Sequence, residues 1–245
     1  PADSNSDAQI ANIDNDHLET YANSFKNLKK SFRKFCLNIP FQGKLFANGD
    51  YQEVLEVVEN LPRNISLYGF EDINDLQILE FTQNKNGSHF VLFDKKNNNK
   101  MNFKTNMIGK HNVLNVAAAI AVALDEGIPY EGIKRALEKF IVIERRFQLI
   151  SENVFEKDII LIDDYGHHPK ELLVSINTAK EVWPDREILV VFQPHRYTRT
   201  KPLFEDFVSI LSDCKNLILL EIYPASEEPI KGYESCLLYT SDAAD

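Results

Sequence analysis

Hydrophobic residues recur with a helical or strand-like period along the whole chain, and the pattern changes near residue 145. Before that point, apolar residues three or four apart predict helices over 18–39, 51–61, 112–127 and 130–140. Between them, short apolar runs predict strands over 65–70, 76–83, 88–94 and 100–105. The first part of the chain is therefore expected to be an α/β domain.

After residue 145, apolar strands alternate regularly with amphipathic helices. Strands are predicted over 158–163, 187–193 and 216–222, and helices over 169–183 and 201–213. This alternation is typical of a parallel sheet that helices cover on both faces. Ligands of such sheets bind at the carboxyl ends of the strands, so the polar stretches that follow each strand become the candidate site.

Composition narrows the possible functions. The 245 residues suit one large domain or two ordinary ones, and 44% hydrophobic with 26% charged residues is typical of a globular protein. A net charge of −10 argues against a nucleic-acid binder, although a local basic pocket remains possible. No apolar run approaches the roughly 20 residues of a membrane span. Three widely spaced cysteines indicate reduced thiols and a cytoplasmic protein.

The stretch "QPHRYTRT" (193–200) follows the second of these strands. Arg196 and Arg199 lie three apart, at the start of a helix or in the turn before it. Two guanidinium groups so placed can bind a carboxylate or a phosphate. The alternative is a pair of solvated arginines, and the position at a strand end favours the binding role.

The stretch "DDYGHHP" (163–169) follows the first of them. His167 or His168 could act as a base or orient a substrate, with Asp163 or Asp164 as a hydrogen-bond acceptor, for example for ribose hydroxyls. A zinc site fits poorly, because adjacent histidines point in different directions and no third ligand has the right spacing. One of the two histidines is expected to anchor the start of the next helix.

Three weaker signals are each open to a structural explanation. "GKHNVLN" (109–115) places Asn112 and Asn115 one helical turn apart, suited either to reading a purine edge or to capping and a polar face. Asp16 and His17 could bind Mg²⁺ or simply begin a helix. Arg146 could reach a ligand at the domain junction or form an interdomain salt bridge.

Taken in order, these motifs are more specific than any one alone. "ANIDNDH" (11–17), "GKHNVLN", "ERRF" (144–147), "DDYGHHP" and "FQPHRYTRT" (192–200) resemble the Mur ligases, over nearly all of 10–232. The resemblance is strongest to the branch that joins L-alanine to UDP-N-acetylmuramate. It implies part of a central ATPase domain over 1–145, with a mixed sheet and helices. A truncated Rossmann-like C-terminal domain with a parallel sheet would follow over 146–235.

The resemblance also implies which residues bind the nucleotide. It places His17 at a Mg²⁺ ion, Asn112 and Asn115 at the adenine of ATP, Arg146 at ATP and Asp164 at the ribose. The implied cofactors are ATP and Mg²⁺.

The amino-acid end of the substrate would lie against Tyr165, His167, Arg196 and Arg199, and the two arginines would hold the alanine carboxylate. Arg146 and His167 would be the catalytic residues, which leaves His168 to anchor the start of the next helix. The implied reaction passes through an acyl phosphate of UDP-N-acetylmuramate, which the alanine amine attacks. This is a step of peptidoglycan synthesis on small molecules in the cytoplasm, without nucleic acid or membrane as partner.

The chain departs from the family pattern in two places. It contains no G-x-x-x-x-G-K-[ST] loop, so the 245 residues alone are expected to be inactive. Its last ten residues, 236–245, do not match the helix expected there and are interpreted as a foreign or artefactual tail. Two alternatives stay open: another ligase of the Mur or folylpolyglutamate type, and a non-catalytic module that binds a nucleotide or a carboxylate.

Overall fold

The chain folds into two units. The computed structural model describes residues 7–15, 18–141 and 143–240, and the chain divides into Pro1–Ile141 and Val142–Asp245. No helix in these described ranges has the length and apolar character needed to cross a bilayer.

The first unit is built on one six-stranded mixed sheet. The strands are β1 (Ala8–Ile10), β2 (Lys44–Asn48), β3 (Asn64–Gly69), β4 (Leu76–Asn84), β5 (Gly87–Asp94) and β6 (Asn99–Thr105), and they lie in chain order across the sheet. The first four strands run parallel, and β5 and β6 are added antiparallel. The mixed sheet predicted for this part of the chain is confirmed.

Helices cover both faces of this sheet. They are α1 (Phe25–Leu37), α2 (Gln52–Val58), α3 (Lys110–Asp125) and α4 (Tyr130–Lys139). Side chains alternate along β2, so Phe46 packs in one buried cluster with residues of α3, whereas Leu45 and Ala47 pack in another with residues of α1 and α2. Both faces of the central strands are therefore buried.

The single helix predicted over 18–39 is wrong. A short 3-10 helix (Leu18–Tyr21) is followed by Ala22 and Asn23 in the left-handed region, with φ of 56° and 53°, and α1 then starts anew. The Ser24 side chain caps α1 by accepting a hydrogen bond from the Asn27 N–H. A serine cap beside an asparagine that tolerates positive φ ends one helix and begins the next, although the apolar period continues.

Over residues 143–240, the second unit contains two separate pairs of strands. β7 (Gln148–Ser151) and β8 (Leu161–Asp163) are antiparallel, whereas β9 (Leu189–Phe192) and β10 (Asn216–Leu219) are parallel. The helices are α5 (Pro169–Val182), α6 (Tyr197–Thr200), α7 (Phe204–Ser212) and α8 (Leu237–Thr240). A parallel sheet was predicted and is present, but the expectation that β8 joins it is wrong, because β8 pairs with β7 instead.

Burial on β9 and β10 is one-sided. Phe192 packs with Phe207 and Leu211 of α7. The alternate residues are open to solvent: Leu189 is 57% exposed and Val191 58%. The prediction that helices cover both faces is thus wrong for the described part of this unit.

Part of the predicted tail packs onto the second unit. Leu238 of α8 is only 2% exposed and belongs to the same cluster as Phe207. The foreign origin inferred for residues 236–245 stays a prediction.

Candidate functional site

Aromatic and histidine rings from three strand ends meet in the second unit. Tyr165 follows β8, His195 follows β9 and Tyr223 follows β10. The His195 ring stacks on Tyr223, with centroids 5.3 Å apart, and lies edge-on to Tyr165 at 6.3 Å. The ring centroids of His167 and Tyr165 lie 5.3 Å apart. The polar stretches that the sequence singled out therefore converge at the carboxyl ends of the strands.

Asp164 fixes the loop after β8 to the chain segment before β7. Its two carboxylate oxygens accept hydrogen bonds from the N–H groups of Phe147, at 2.8 Å, and Gly166, at 2.6 Å. A side chain at 166 would place its Cβ 2.8 Å from Asp164 Oδ1, so the Asp164 carboxylate would have to shift to admit it. Asp164 thus has a structural function that the sequence did not indicate, and its role at a ribose stays a prediction.

Glu171 gathers the two residues predicted to be catalytic. Its carboxylate lies 3.7 Å from Arg146 Nη1 and 3.4 Å from His167 Nδ1. It also accepts the N–H of His168, whose own side chain caps α5, so the two residues form a reciprocal capping box. The expected role of His168 as the anchor of this helix is confirmed. For Arg146, the structure shows an ion pair inside the second unit.

The two predicted arginines lie on the turn that begins α6. Arg196 is exposed and is the N-cap, with a φ of 72°, and Arg199 is half-buried one turn later. Arg199 Nη1 lies 3.3 Å from both Nδ1 and the carbonyl oxygen of His195. A third guanidinium, that of Arg145, lies over the Tyr165 ring at 4.8 Å.

The surroundings of His195 favour its neutral form. Burial, followed by the charges of Arg199, Arg196 and His167, lowers the pKa of His195 below its ordinary value of 6.5, and Glu227 opposes this only in part. A neutral imidazole can accept a hydrogen bond from Arg199 through Nδ1. Chemically, the cluster offers guanidinium groups beside aromatic rings and an uncharged imidazole, which suits a small molecule with a carboxylate.

In the first unit, the two predicted adenine contacts differ in exposure. Asn112 is 1% exposed, and its Nδ2 donates to the Ile108 carbonyl at 2.7 Å. Within the described residues its Oδ1 has no partner. Asn115 is exposed. The alternative that Asn112 caps the helix is wrong, because α3 begins at Lys110 and its N-cap is Gly109.

The predicted metal ligand cannot be placed. Asp16 and His17 lie outside the described residues. Across residues 7–15, 18–141 and 143–240, no three His, Cys, Asp or Glu side chains are grouped closely enough to hold a metal ion. The Mg²⁺ site stays a prediction.

Sequence reasoning missed three residues that organise this site. His195 and Glu227 lie in stretches recognised as strand ends, yet neither was given a role. Glu171 was missed as well, although it lies three residues after His168, the spacing of a capping box. That spacing was the one available signal, since the contacts of the other two depend on tertiary structure.

Family comparisons agree with the motifs. A family model of the Mur ligase middle domain matches residues 6–123. A second model, described as the Mur ligase, glutamate ligase domain, matches residues 145–237. The chain belongs to the Mur ligase family.

Curated relatives include two UDP-N-acetylmuramate–L-alanine ligases, from Psychrobacter arcticus and Psychrobacter cryohalolentis. Each is 40% identical over 235 residues, which is 96% of this chain and 49% of the relative. The chain thus spans about half the length of the curated relatives it matches.

Solved structures show the same fold. The UDP-N-acetylmuramate-alanine ligase MurC of Thermotoga maritima aligns with a TM-score of 0.66 and 25% identity, over 93% of this chain and 54% of that one. A MurF ligase from Thermotoga maritima, solved in complex with ADP, aligns with a TM-score of 0.68 over 92% of this chain and 50% of that one. At 14% identity, MurF supports the fold alone.

Proposed function

We propose that this chain is part of an ATP-dependent ligase that joins L-alanine to the lactyl carboxylate of UDP-N-acetylmuramate, in the cytoplasmic synthesis of peptidoglycan. The observation that carries the proposal is the convergence of Arg196, Arg199, Tyr165, His167 and His195 at neighbouring strand ends. The 40% identity to two enzymes with this name supports the choice of substrates.

Arg196 and Arg199 would bind the carboxylate of alanine. Guanidinium groups bind carboxylates in a fixed orientation. The turn that carries the two arginines is already held by hydrogen bonds from Arg199 Nη1 to the His195 carbonyl and from Thr200 Oγ1 to the Arg196 carbonyl. Fixing the carboxylate orients the amine for attack on the acyl phosphate, and such orientation can contribute several kcal/mol to catalysis, by order of magnitude.

His167 and Arg146 would act on either side of Glu171. Since the pair shares one carboxylate, Glu171 limits how far either side chain moves. His167 would take part at the alanine end, and Arg146 would stabilise the charge on the phosphate as it transfers.

Asn115, Asn112 and Asp164 would bind the nucleotide. Asn115 fits the adenine role as it stands, because it is exposed. Asn112 Oδ1 has no hydrogen-bond partner in the described part of the chain, but Asn112 would have to turn its buried amide toward the ligand. Asp164 retains lone pairs for a ribose hydroxyl beyond its two backbone hydrogen bonds. When bound, Mg²⁺ neutralises phosphate charge, and His17 is its proposed ligand.

The arginine assignment is tested by replacing Arg199 with Ala in the protein encoded by the complete open reading frame that contains these residues. The KM for L-alanine should rise about 10- to 100-fold, the effect of losing a hydrogen bond between charged groups, while the KM for ATP stays unchanged. Arg186→Ala is the control, because Arg186 pairs with Asp158 before β9. An unchanged KM and kcat for L-alanine in the Arg199 variant would rule the assignment out.

The 245-residue chain is proposed to be inactive on its own, because it lacks the phosphate-binding loop pattern. Phosphate release that depends on both ATP and L-alanine, measured with the purified chain, would contradict this. If the complete protein discriminates against L-alanine in favour of another amino acid, the alternative of a different Mur-type ligase replaces the proposed substrate.

A further inference from the structure

The loop after β10 is joined to the turn that carries the two arginines through one carboxylate. Glu227 Oε1 accepts a hydrogen bond from Thr198 Oγ1 at 2.6 Å, and Oε2 accepts one from the Thr198 N–H at 3.0 Å. Thr198 lies between Arg196 and Arg199. Hydrogen bonds to an ionised carboxylate are stronger than neutral ones, so this contact restrains the turn at its midpoint.

Backbone hydrogen bonds also join these two segments, closer to the ends of β9 and β10 than the contact between Glu227 and Thr198. The Arg196 N–H donates to the Tyr223 carbonyl, and the Tyr223 N–H donates to the Pro194 carbonyl, both at 2.9 Å. The turn is therefore held to the β10 loop at its start by the backbone and at its centre by Glu227.

The turn needs such restraint because its backbone is strained. Arg196 has a φ of 72°, a conformation that side chains other than glycine rarely adopt. Strain of this kind persists where surrounding contacts fix the conformation. Without Glu227, the hydrogen bonds of the Arg196 backbone to Tyr223 and Thr200 would remain, but the midpoint of the turn at Thr198 would lose its restraint.

Glu227 is ionised at neutral pH, and its carboxylate oxygens are already engaged in hydrogen bonds. Partial burial opposes ionisation, but the hydrogen bonds from Thr198, the charge of Arg196 and the Tyr197 N–H hold the pKa of Glu227 below its ordinary value. Both of its oxygens already accept hydrogen bonds from Thr198. Its geometry thus suits holding the turn rather than exchanging a proton with a substrate.

We propose that Glu227 is a positioning residue: it clamps Thr198 and thereby holds Arg196 and Arg199 in the arrangement that receives the amino-acid carboxylate. This inference rests on the proposed function for the identity of the ligand. The clamp itself is a property of the folded chain.

The clamp is tested first by NMR on the 245-residue chain, which needs no activity. The reporter is His195, which faces Arg199, Arg196, His167, Tyr165 and Tyr223 as well as Glu227. In Glu227→Gln, loss of a negative charge alone would lower the pKa of His195 further. If the clamp holds the arginines in place, its loss moves them away, and the pKa of His195 rises toward 6.5.

Thr198→Val removes the hydroxyl donor without changing any charge, so the clamp predicts a rise in the pKa of His195 here too. Thr198→Ser, which keeps the hydroxyl, should leave it as in the wild type, and so should Glu228→Gln, a change at the exposed neighbouring glutamate. No change in the pKa of His195 in Thr198→Val, where no charge is lost, would overturn the proposal.

Kinetics of the complete protein test the consequence for the substrate. Glu227→Gln and Thr198→Val should each raise the KM for L-alanine about 5- to 30-fold, with the KM for ATP within about twofold of wild type. The double variant should be no worse than the worse single variant, since both break one contact. A fall in kcat with the KM for L-alanine unchanged would overturn the positioning role. Absence of L-alanine consumption in the wild type would instead refute the proposed function and leave the NMR result standing.

Discussion

An aspartate pins backbone N–H groups after a strand in both units, but with different surroundings. In the first unit, Asp50 follows β2 and accepts hydrogen bonds from the N–H groups of Phe70 and Glu71 and from the buried Asn74 side chain. In the second, Asp164 accepts hydrogen bonds from two backbone N–H groups, beside exposed arginines and a half-buried histidine. The same device thus joins the ends of two strands in the first unit and holds the loop of the candidate site in the second.

The two units also differ in how completely their sheets are buried. The sheet of the first unit is buried on both faces, whereas β9 and β10 of the second are buried on one. Residues held by fewer apolar contacts open at lower free energy. The unit with the candidate carboxylate site is thus expected to be the less stable one.

The largest expected effect compares one substitution on the two sheets. Leu92→Ala on β5, where the side chain is fully buried, should lower the free energy of unfolding by about 2–5 kcal/mol. Leu189→Ala on β9, 57% exposed, should change it by less than about 0.5 kcal/mol. Chemical denaturation measures both. A comparable loss in the Leu189 variant would mean that the face is covered in solution.

The second-largest expected effect compares Asp50 with Asp164. Asp50→Ala leaves two backbone donors and an amide without their acceptor and should destabilise the protein by about 2–3 kcal/mol. Asp164→Ala frees two donors at a more open site and should lose about 1–2 kcal/mol. Denaturation curves of both variants test the order. If Asp164→Ala were the more damaging, its loop would be a larger part of the core than its burial indicates.

Lowering the pH should destabilise the second unit through protonation of His195. Because its pKa is lower in the folded chain than the ordinary 6.5, the unfolded chain binds more protons as the pH falls below about 6.5, and stability is lost in that window. Thermal unfolding between pH 5 and pH 8, with His195→Gln, measures the contribution, since the variant should lose less stability on acidification. His89→Gln, at an exposed position on β5, is the control and should follow the wild type.

The smallest effect concerns the cap of α1. Ser24→Ala removes the oxygen that accepts the Asn27 N–H and should lower the free energy of unfolding by about 0.5–1 kcal/mol. Ser24→Thr keeps an acceptor and should differ little from the wild type in the same denaturation assay. Equal losses in both variants would contradict a stabilising role for the serine oxygen as the cap of α1.

Long elements were predictable because their signals are local. The helices predicted over 112–127, 130–140 and 169–183 correspond to α3, α4 and α5 within a few residues. The strands β1, β2 and β7 were missed, because they are short and lie outside the longer apolar runs that revealed the equally short β8, β9 and β10. The separation of β8 from β9 was also hidden, since strand pairing depends on tertiary structure.

The candidate site was predictable as a place more than as a set of contacts. That the stretches containing Arg196 and Tyr165 meet follows from the rule that ligands bind at the carboxyl ends of such strands. The contact between Thr198 and Glu227 joins residues 29 apart in sequence, and no local spacing announces it. Likewise, Asn112 and Asn115 are the same residue type and lie one turn apart on α3, yet one is buried and the other exposed. That difference depends on tertiary packing, which the local sequence does not show.

The one-sided burial of β9 and β10 also has a practical use. Leu189, Val191, Ile218 and Leu220 alternate with the side chains that pack on α7, and they are open to a hydrophobic dye. Dye fluorescence should therefore report on this surface. Lysine or glutamate at those four positions would improve the handling of the protein while leaving the loops with the arginines, the histidines and Glu227 as they are, so solubility can be engineered separately from chemistry.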